Sequence, residues 1–251
     1  MSAPNPVRST SRLDRIWSPG KEFLGSELPI MCGAMTWISD PGLVSLMSNL
    51  GAFGVLAAGN MPPDLFAKYV EETRELTDKP FAVNLITIAP AYQDHLQLIS
   101  ELDLPYVIFA GSFPRRKEIE LAKSMGAKVM CVASTESIAQ RMIDSGTDAL
   151  ILEGMDAGGH VGHVTLTILL QQVLFQFPDL PIFVAGGIGS GRMVGNLLLM
   201  GADGVQLGTR FAVAEESCAH DSFKSTFIRA KARDAISTPQ IDSRLPVVAV
   251  R

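Results

Sequence analysis

The stretch Ala149 to His163 (ALILEGMDAGGHVGH) holds the residues best suited to chemistry. A short apolar run ends in an acid, Glu153, and then in a loop with Gly154, Gly158, Gly159 and Gly162 around His160. Ala149 to Leu152 has the length and composition of a buried strand, so Glu153 falls where that strand should end. The glycines permit positive φ and let a flat ligand lie close to the backbone. A histidine on such a loop is accessible, titrates near neutral pH and could take a proton from a bound substrate. The plainer readings are that His160 bonds a nearby carbonyl and that Glu153 accepts from loop amides. Asp156 is expected to fix the loop through backbone N–H groups. His163 reads as a loop or helix-entry residue, and His95 and His220, in polar helical surroundings, read as surface residues.

The elements that must position this loop form an alternating series. Strands are expected at Leu28–Met35, Ala52–Gly59, Phe81–Ile86, Tyr106–Gly111, Lys128–Ala133, Ala149–Leu152, Ile182–Ala185 and Gly204–Leu207, with a helix between each pair. Strand–helix–strand units build either an open doubly wound sheet or a closed barrel. No GxGxxG follows the first strand and no P-loop occurs, so the fold class expected is the α/β (β/α)8 TIM barrel of parallel strands. In that fold the strand ends and the loops after them form the active face, and phosphate is commonly held after the seventh and eighth strands. Gly186-Gly187 and Gly208-Thr209 fall there. Their amides, with the helix start at Ser190 nearby, could surround a phosphate; alternatively the glycines only make tight turns. Asn84 is polar within an apolar strand, so it either bonds its neighbour strand or faces a ligand.

Composition excludes several classes. The 251 residues are 47% hydrophobic with a net charge of -5, which suits one large core and argues against a nucleic-acid surface. Cys32, Cys131 and Cys218 are scattered and odd in number, so neither a disulfide framework nor a metal site is suggested, and a reducing cytoplasm is the expected location. No apolar stretch is long enough to span a bilayer. Residues 1–16 read as a flexible tail and 17–251 as one domain. The chain ends in an apolar run, Pro246 to Val250, which reads as a C-terminally shortened end with exposed apolar surface.

Several motifs in order carry a resemblance: Met35-Thr36-Trp37-Ile38-Ser39, Lys79-Pro80-Phe81-Ala82-Val83-Asn84-Leu85, EGMDAGGHVGH, VAGGIGSG and GADGVQLGTRF. From about Leu28 to Arg251 the chain resembles the FMN-dependent nitronate monooxygenase (2-nitropropane dioxygenase) family, which is closely similar to flavin-type enoyl-acyl-carrier-protein reductases. The resemblance implies that Gly33, Ala34 and Met35 hold the isoalloxazine, with Asn84 and the strand end at Gly111 touching the flavin. It puts Glu153 at the cofactor's polar edge with Gly158 and Gly159 beside it, and the FMN phosphate on Ala185, Gly186, Gly187, Gly208 and Thr209. His160 matches the family's catalytic histidine, a base for neutral nitroalkanes or a hydrogen-bond donor to the nitro group, with oxygen as electron acceptor. The alternatives are an enoyl reductase, in which NAD(P)H reduces the flavin and towards which the MTWIS segment leans, and a flavin-binding barrel without catalysis. A homodimer is a possible assembly.

Overall fold

Continuous apolar runs of four to six residues, each closed by glycine, proline or a capping residue, set the strands. The computed structural model of the chain describes residues 12–238 and 247–250. In chain order the barrel elements are β1 (Ile30–Cys32), α2 (Pro41–Asn49), β2 (Phe53–Ala57), α3 (Pro63–Leu76), β3 (Phe81–Ile86), α4 (Tyr92–Leu98), β4 (Tyr106–Ala110), α5 (Arg116–Ser124), β5 (Lys128–Ala133), α6 (Glu136–Asp144) and β6 (Ala149–Glu153). After the two-residue strand β7 (Gly159–His160) follow α7 (Leu166–Val173), β8 (Ile182–Ala185), α8 (Gly191–Leu199) and β9 (Gly204–Leu207). The barrel closes in the order β1-β2-β3-β4-β5-β6-β8-β9, with every pairing parallel. The expected TIM barrel is therefore the fold.

Helix starts follow local chemistry. Asp40 accepts from the Leu43 amide at 2.9 Å ahead of α2, and Thr135 and Ser190 cap α6 and α8 in the same way. Side chains alternate along each strand. One set, including Val83, Leu85, Val107, Phe109 and Leu150, packs outward under the helices. The other, including Met31, Phe53, Val55, Ala82, Ile108, Met130, Ile151 and Phe183, fills the barrel interior.

That interior is stoppered from below. Helix α1 (Arg12–Leu24) delivers the fully buried Leu24 and the ring of Phe23, whose centroid lies 6.1 Å from Tyr106 and 5.8 Å from Phe183. The tail expected to reach residue 16 thus gives way to helix from Arg12, because Ile16 and Trp17 supply an apolar face that packs on the outer core. Residues 1–11 of that tail lie outside the described residues.

Two expectations are corrected. His95 is fully buried, not a surface residue: its Nε2 donates to the Met61 carbonyl at 2.9 Å and its ring packs 5.0 Å from Phe66. Burial lowers its pKa, and its Nδ1 has no partner. The apolar end is not an uncovered surface either. Val247–Val250 form strand β11, which pairs antiparallel with β10 (Ala235–Thr238) on one side and with β7 on the other, making a small sheet of order β10-β11-β7. Between β9 and β10 lie the short helix α9 (Thr209–Ala212) and α10 (Asp221–Arg229). Leu245, Pro246 and Arg251 lie outside the described residues.

Candidate active site at the barrel mouth

Strand alternation decides which polar groups enter the barrel. Asn84 lies two residues beyond the inward Ala82, and Glu153 two beyond the inward Ile151, so both project into the top layer of the interior. The same period brings in Gln206 from β9. A Cβ on Gly33 would meet Gln206 Cγ at 2.9 Å and Nε2 at 3.2 Å, so the glycine at the end of β1 is what lets this amide lie across the mouth. Gln206 escaped the sequence reading, although a polar residue in the apolar strand GVQL carries the same signal as Asn84 in FAVNLI.

Asn84 is 6% exposed, and its side-chain amide makes no hydrogen bond with any described residue. Its amide is not among the enclosed unpaired groups, so it meets solvent at the mouth, where a ligand could take the place of water. Of the two readings open for Asn84, the structure lacks the bond to a neighbouring strand. Glu153 likewise takes no loop amide, and burial raises its carboxyl from the ordinary 4.5 to about 7. Near neutral pH it therefore exists in both forms, able to donate as the acid or accept as the anion.

The turns around these groups are built from glycine. After β8, Gly186 has φ +108° and Gly187 φ +66°, and a Cβ on Gly186 would meet the Ala157 amide nitrogen at 3.0 Å, so the β8 turn and the His160 loop lie against each other. Asp156 does brace this loop: its Oδ2 accepts from the Leu166 amide at 2.8 Å, and the Met155 amide donates to the Val164 carbonyl at 2.8 Å. By contrast a Cβ on Gly158 or Gly159 would meet nothing within 4 Å, so these two border open space. Gly208, in front of the exposed Thr209, lies beside Met35, whose Sδ would be 3.6 Å from a Cβ there. Across the ring, the Gly111 turn (φ +89°) is pinned by Thr87, whose Oγ1 accepts from the Ser112 amide at 2.8 Å.

The structure thus gathers Gly33, Ala34 and Met35 with Gln206 and Gly208 on one side of the mouth and Glu153 with Ala185, Gly186 and Gly187 on another, while Asn84 on β3 is in register with Ile108 and Gly111 follows the end of β4. His160 is exposed on β7, with Val247 of β11 opposite it. His163 is also exposed and stands outside the paired segment. A second residue missed by the sequence reading is Trp37. It holds φ +65°, unusual for a bulky side chain, and is 55% exposed in the loop after β1. Its carbonyl accepts from Cys218 Sγ at 3.4 Å, and Ser39 Oγ braces the same loop by donating to the Gly33 carbonyl at 2.8 Å and accepting from the Met35 amide at 2.9 Å. Among the described residues no cluster of His, Cys, Asp or Glu could hold a metal ion, and no helix is long and apolar enough to cross a membrane.

Polar groups at three strand ends, under glycine turns after the last two barrel strands, make the C-terminal face of the α/β barrel the candidate site. The chain belongs to the nitronate monooxygenase family, a family of oxidoreductases, whose model matches residues 18–101 and 86–244. It is 32% identical over 230 residues to the (3aS,4S,5R,7aS)-5-hydroxy-7a-methyl-1-oxo-octahydro-1H-indene-4-carboxyl-CoA dehydrogenase of Mycobacterium tuberculosis; the match covers 91% of this chain and 64% of that protein's length. Among solved structures, FabK from Thermotoga maritima superposes with a TM-score of 0.89 at 36% identity, covering 93% of this chain and 74% of that one. A nitroalkane oxidase from Streptomyces ansochromogenes gives 0.82 at 27% identity, covering 90% and 77%.

Proposed function

We propose that the protein is an FMN-dependent nitronate monooxygenase, oxidising alkyl nitronates or nitroalkanes with oxygen, with His160 as the base. The observation that carries this reading is an exposed histidine on a glycine loop that lies against the β8 turn, within a barrel of the nitronate monooxygenase family.

The residues present fit FMN. Asn84, Glu153 and Gln206 carry unspent hydrogen-bonding capacity suited to the polar edge of a flat ring, and Gly33, Ala34 and Met35 would border that ring from the end of β1. The positive-φ turn at Gly186 and Gly187, with Ala185, Gly208 and Thr209, would hold the phosphate through backbone amides. When bound, FMN would supply the redox chemistry between the substrate and oxygen. The chain's own part is to orient the substrate and move a proton: the neutral imidazole of His160 takes the proton from the carbon bearing the nitro group, and the imidazolium then donates a hydrogen bond to the resulting anion. A preformed nitronate has no such proton and would bypass that step.

A second reading is an NAD(P)H-dependent flavin enoyl-acyl-carrier-protein reductase, whose thioester class of substrate has support in the carboxyl-CoA dehydrogenase name of the M. tuberculosis relative. Anaerobic absorbance of the purified protein separates the two. Bleaching of bound flavin by a nitronate alone supports the monooxygenase; bleaching by NAD(P)H alone transfers the assignment to the thioester reading. A colourless protein would sink the FMN assignment, and coloured protein inert to both would leave a binding barrel.

A further inference from the structure

We propose that strand β11 is part of the catalytic apparatus, with Val247 a positioning residue that sets His160; this deepens the proposed function and rests on it. The base of the His160 loop is held from within the barrel by the Asp156–Leu166 and Met155–Val164 hydrogen bonds and by the Gly186 turn. Its tip is built differently. Gly158 and Gly159 have open space where side chains would be, and Gly159 holds φ +80°, so neither packing nor rotamer preference fixes the backbone entering His160. What the tip has is a strand partner: Val247 lies opposite His160 and Val248 opposite Gly159, and Val247 is only 7% exposed. β11 is in turn tied along its whole length to β10, from Val247–Thr238 to Val250–Ala235. A glycine loop is free to take many shapes, and pairing with a strand tied on its other side reduces them to one. The C-terminal strand therefore does for His160 what a packed shell does for a base on a rigid element.

Two variants break β11 at this place, Val247→Pro and the less buried Val248→Pro; successive amides of a strand point to opposite sides, so one loses a bond to β7 and the other a bond to β10, on which the seating of β11 depends. Val247→Thr, β-branched and able to pair, is the conservative control, and circular dichroism confirms that each folds. The first readout is independent of turnover: peptide-resolved hydrogen exchange across residues 155–165 and the rate at which diethylpyrocarbonate modifies His160. Both should rise at least about tenfold in the proline variants and stay at wild-type values in Val247→Thr. The second is the ratio of kcat/KM for nitroethane to that for ethyl nitronate in flavin-loaded enzyme, which should fall at least about tenfold, with flavin retained. Unchanged exchange and modification at His160, or an unchanged substrate ratio despite a freed loop, overturns the proposal. Wild-type protein inert to both nitro compounds overturns the reaction assigned above, and the exchange and modification rates then decide alone whether β11 sets His160. If one proline variant does not fold, the other is decisive.

Discussion

Glu153 at the end of β6 stands in register with Ala185 at the end of β8, and this small neighbour, itself in register with Gln206, offers the carboxyl no hydrogen bond. A raised carboxyl pKa follows from that isolation, and it has a sign. Between 4.5 and about 7 the folded protein binds a proton at Glu153 that the unfolded chain has released, so this group's contribution to stability falls as pH rises through the window and stays low above it. Glu153→Gln should therefore match wild type near pH 4.5 and exceed it at pH 8.5 by on the order of 1–3 kcal/mol, the lower end reflecting the partial exposure of the residue. Urea midpoints without added ligand at the two pH values check this; equal differences at both would show that the carboxyl is not isolated.

His95 should act in the opposite direction. Burial lowers its pKa below 6.5, so the unfolded chain takes up a proton that the folded protein resists, and stability is lost as pH falls below 6.5. A His95→Phe variant keeps the aromatic packing on Phe66 and should lose the steepest part of this acid dependence, at a cost of about 1 kcal/mol at pH 8 for the lost bond to Met61. Thermal midpoints from pH 5 to 8 give the comparison.

His160→Ala should keep bound flavin and lose about 10²–10⁴-fold in kcat/KM on neutral nitroalkanes, with a much smaller loss on preformed nitronates. Equal rates on neutral substrate would remove His160 from the role of base.

Gly187→Asp brings both a carboxylate and a Cβ into a turn with φ +66°, next to Asp156 Cβ at 3.2 Å. The expected result is a fall in FMN occupancy, read from the ratio of flavin to protein absorbance, together with about 1–2 kcal/mol of lost stability from backbone strain. Full occupancy would move the phosphate away from β8.

At Gly20 in α1 a Cβ would run into the Asp203 carbonyl and approach Pro29 Cβ at 2.8 Å. Gly20→Ala should lower stability by about 1–3 kcal/mol, visible in the thermal midpoint, by pushing α1 off the barrel floor. An unchanged midpoint would mean that α1 contributes little to closing the barrel.

Much of this frame was legible in the chain itself. Seven of the eight barrel strands fall within the expected runs, and β6 passes its run only by Glu153, because fully buried parallel strands are near-continuous apolar segments. Asn84 and Glu153 stood out for the same reason, as polar residues where the pattern asks for apolar ones. The rest depended on contacts distant in sequence. His95 sits in a polar stretch, and its partner carbonyl at Met61 belongs to another loop. A two-residue strand at Gly159–His160 has no periodicity to detect, and Val247 to Val250 read as an uncovered end until paired with it. Trp37 drew no notice as a strained residue because sequence carries no φ.

Among the described residues Phe23 and Leu24 close the lower end of the barrel, which on the proposed function leaves the C-terminal mouth as the doorway for both substrates. Whatever donates electrons and whatever accepts them must then come and go by the same route, one after the other, so an excess of either should obstruct its counterpart. Traffic through that doorway, as much as the chemistry behind it, would set how fast the enzyme can turn over.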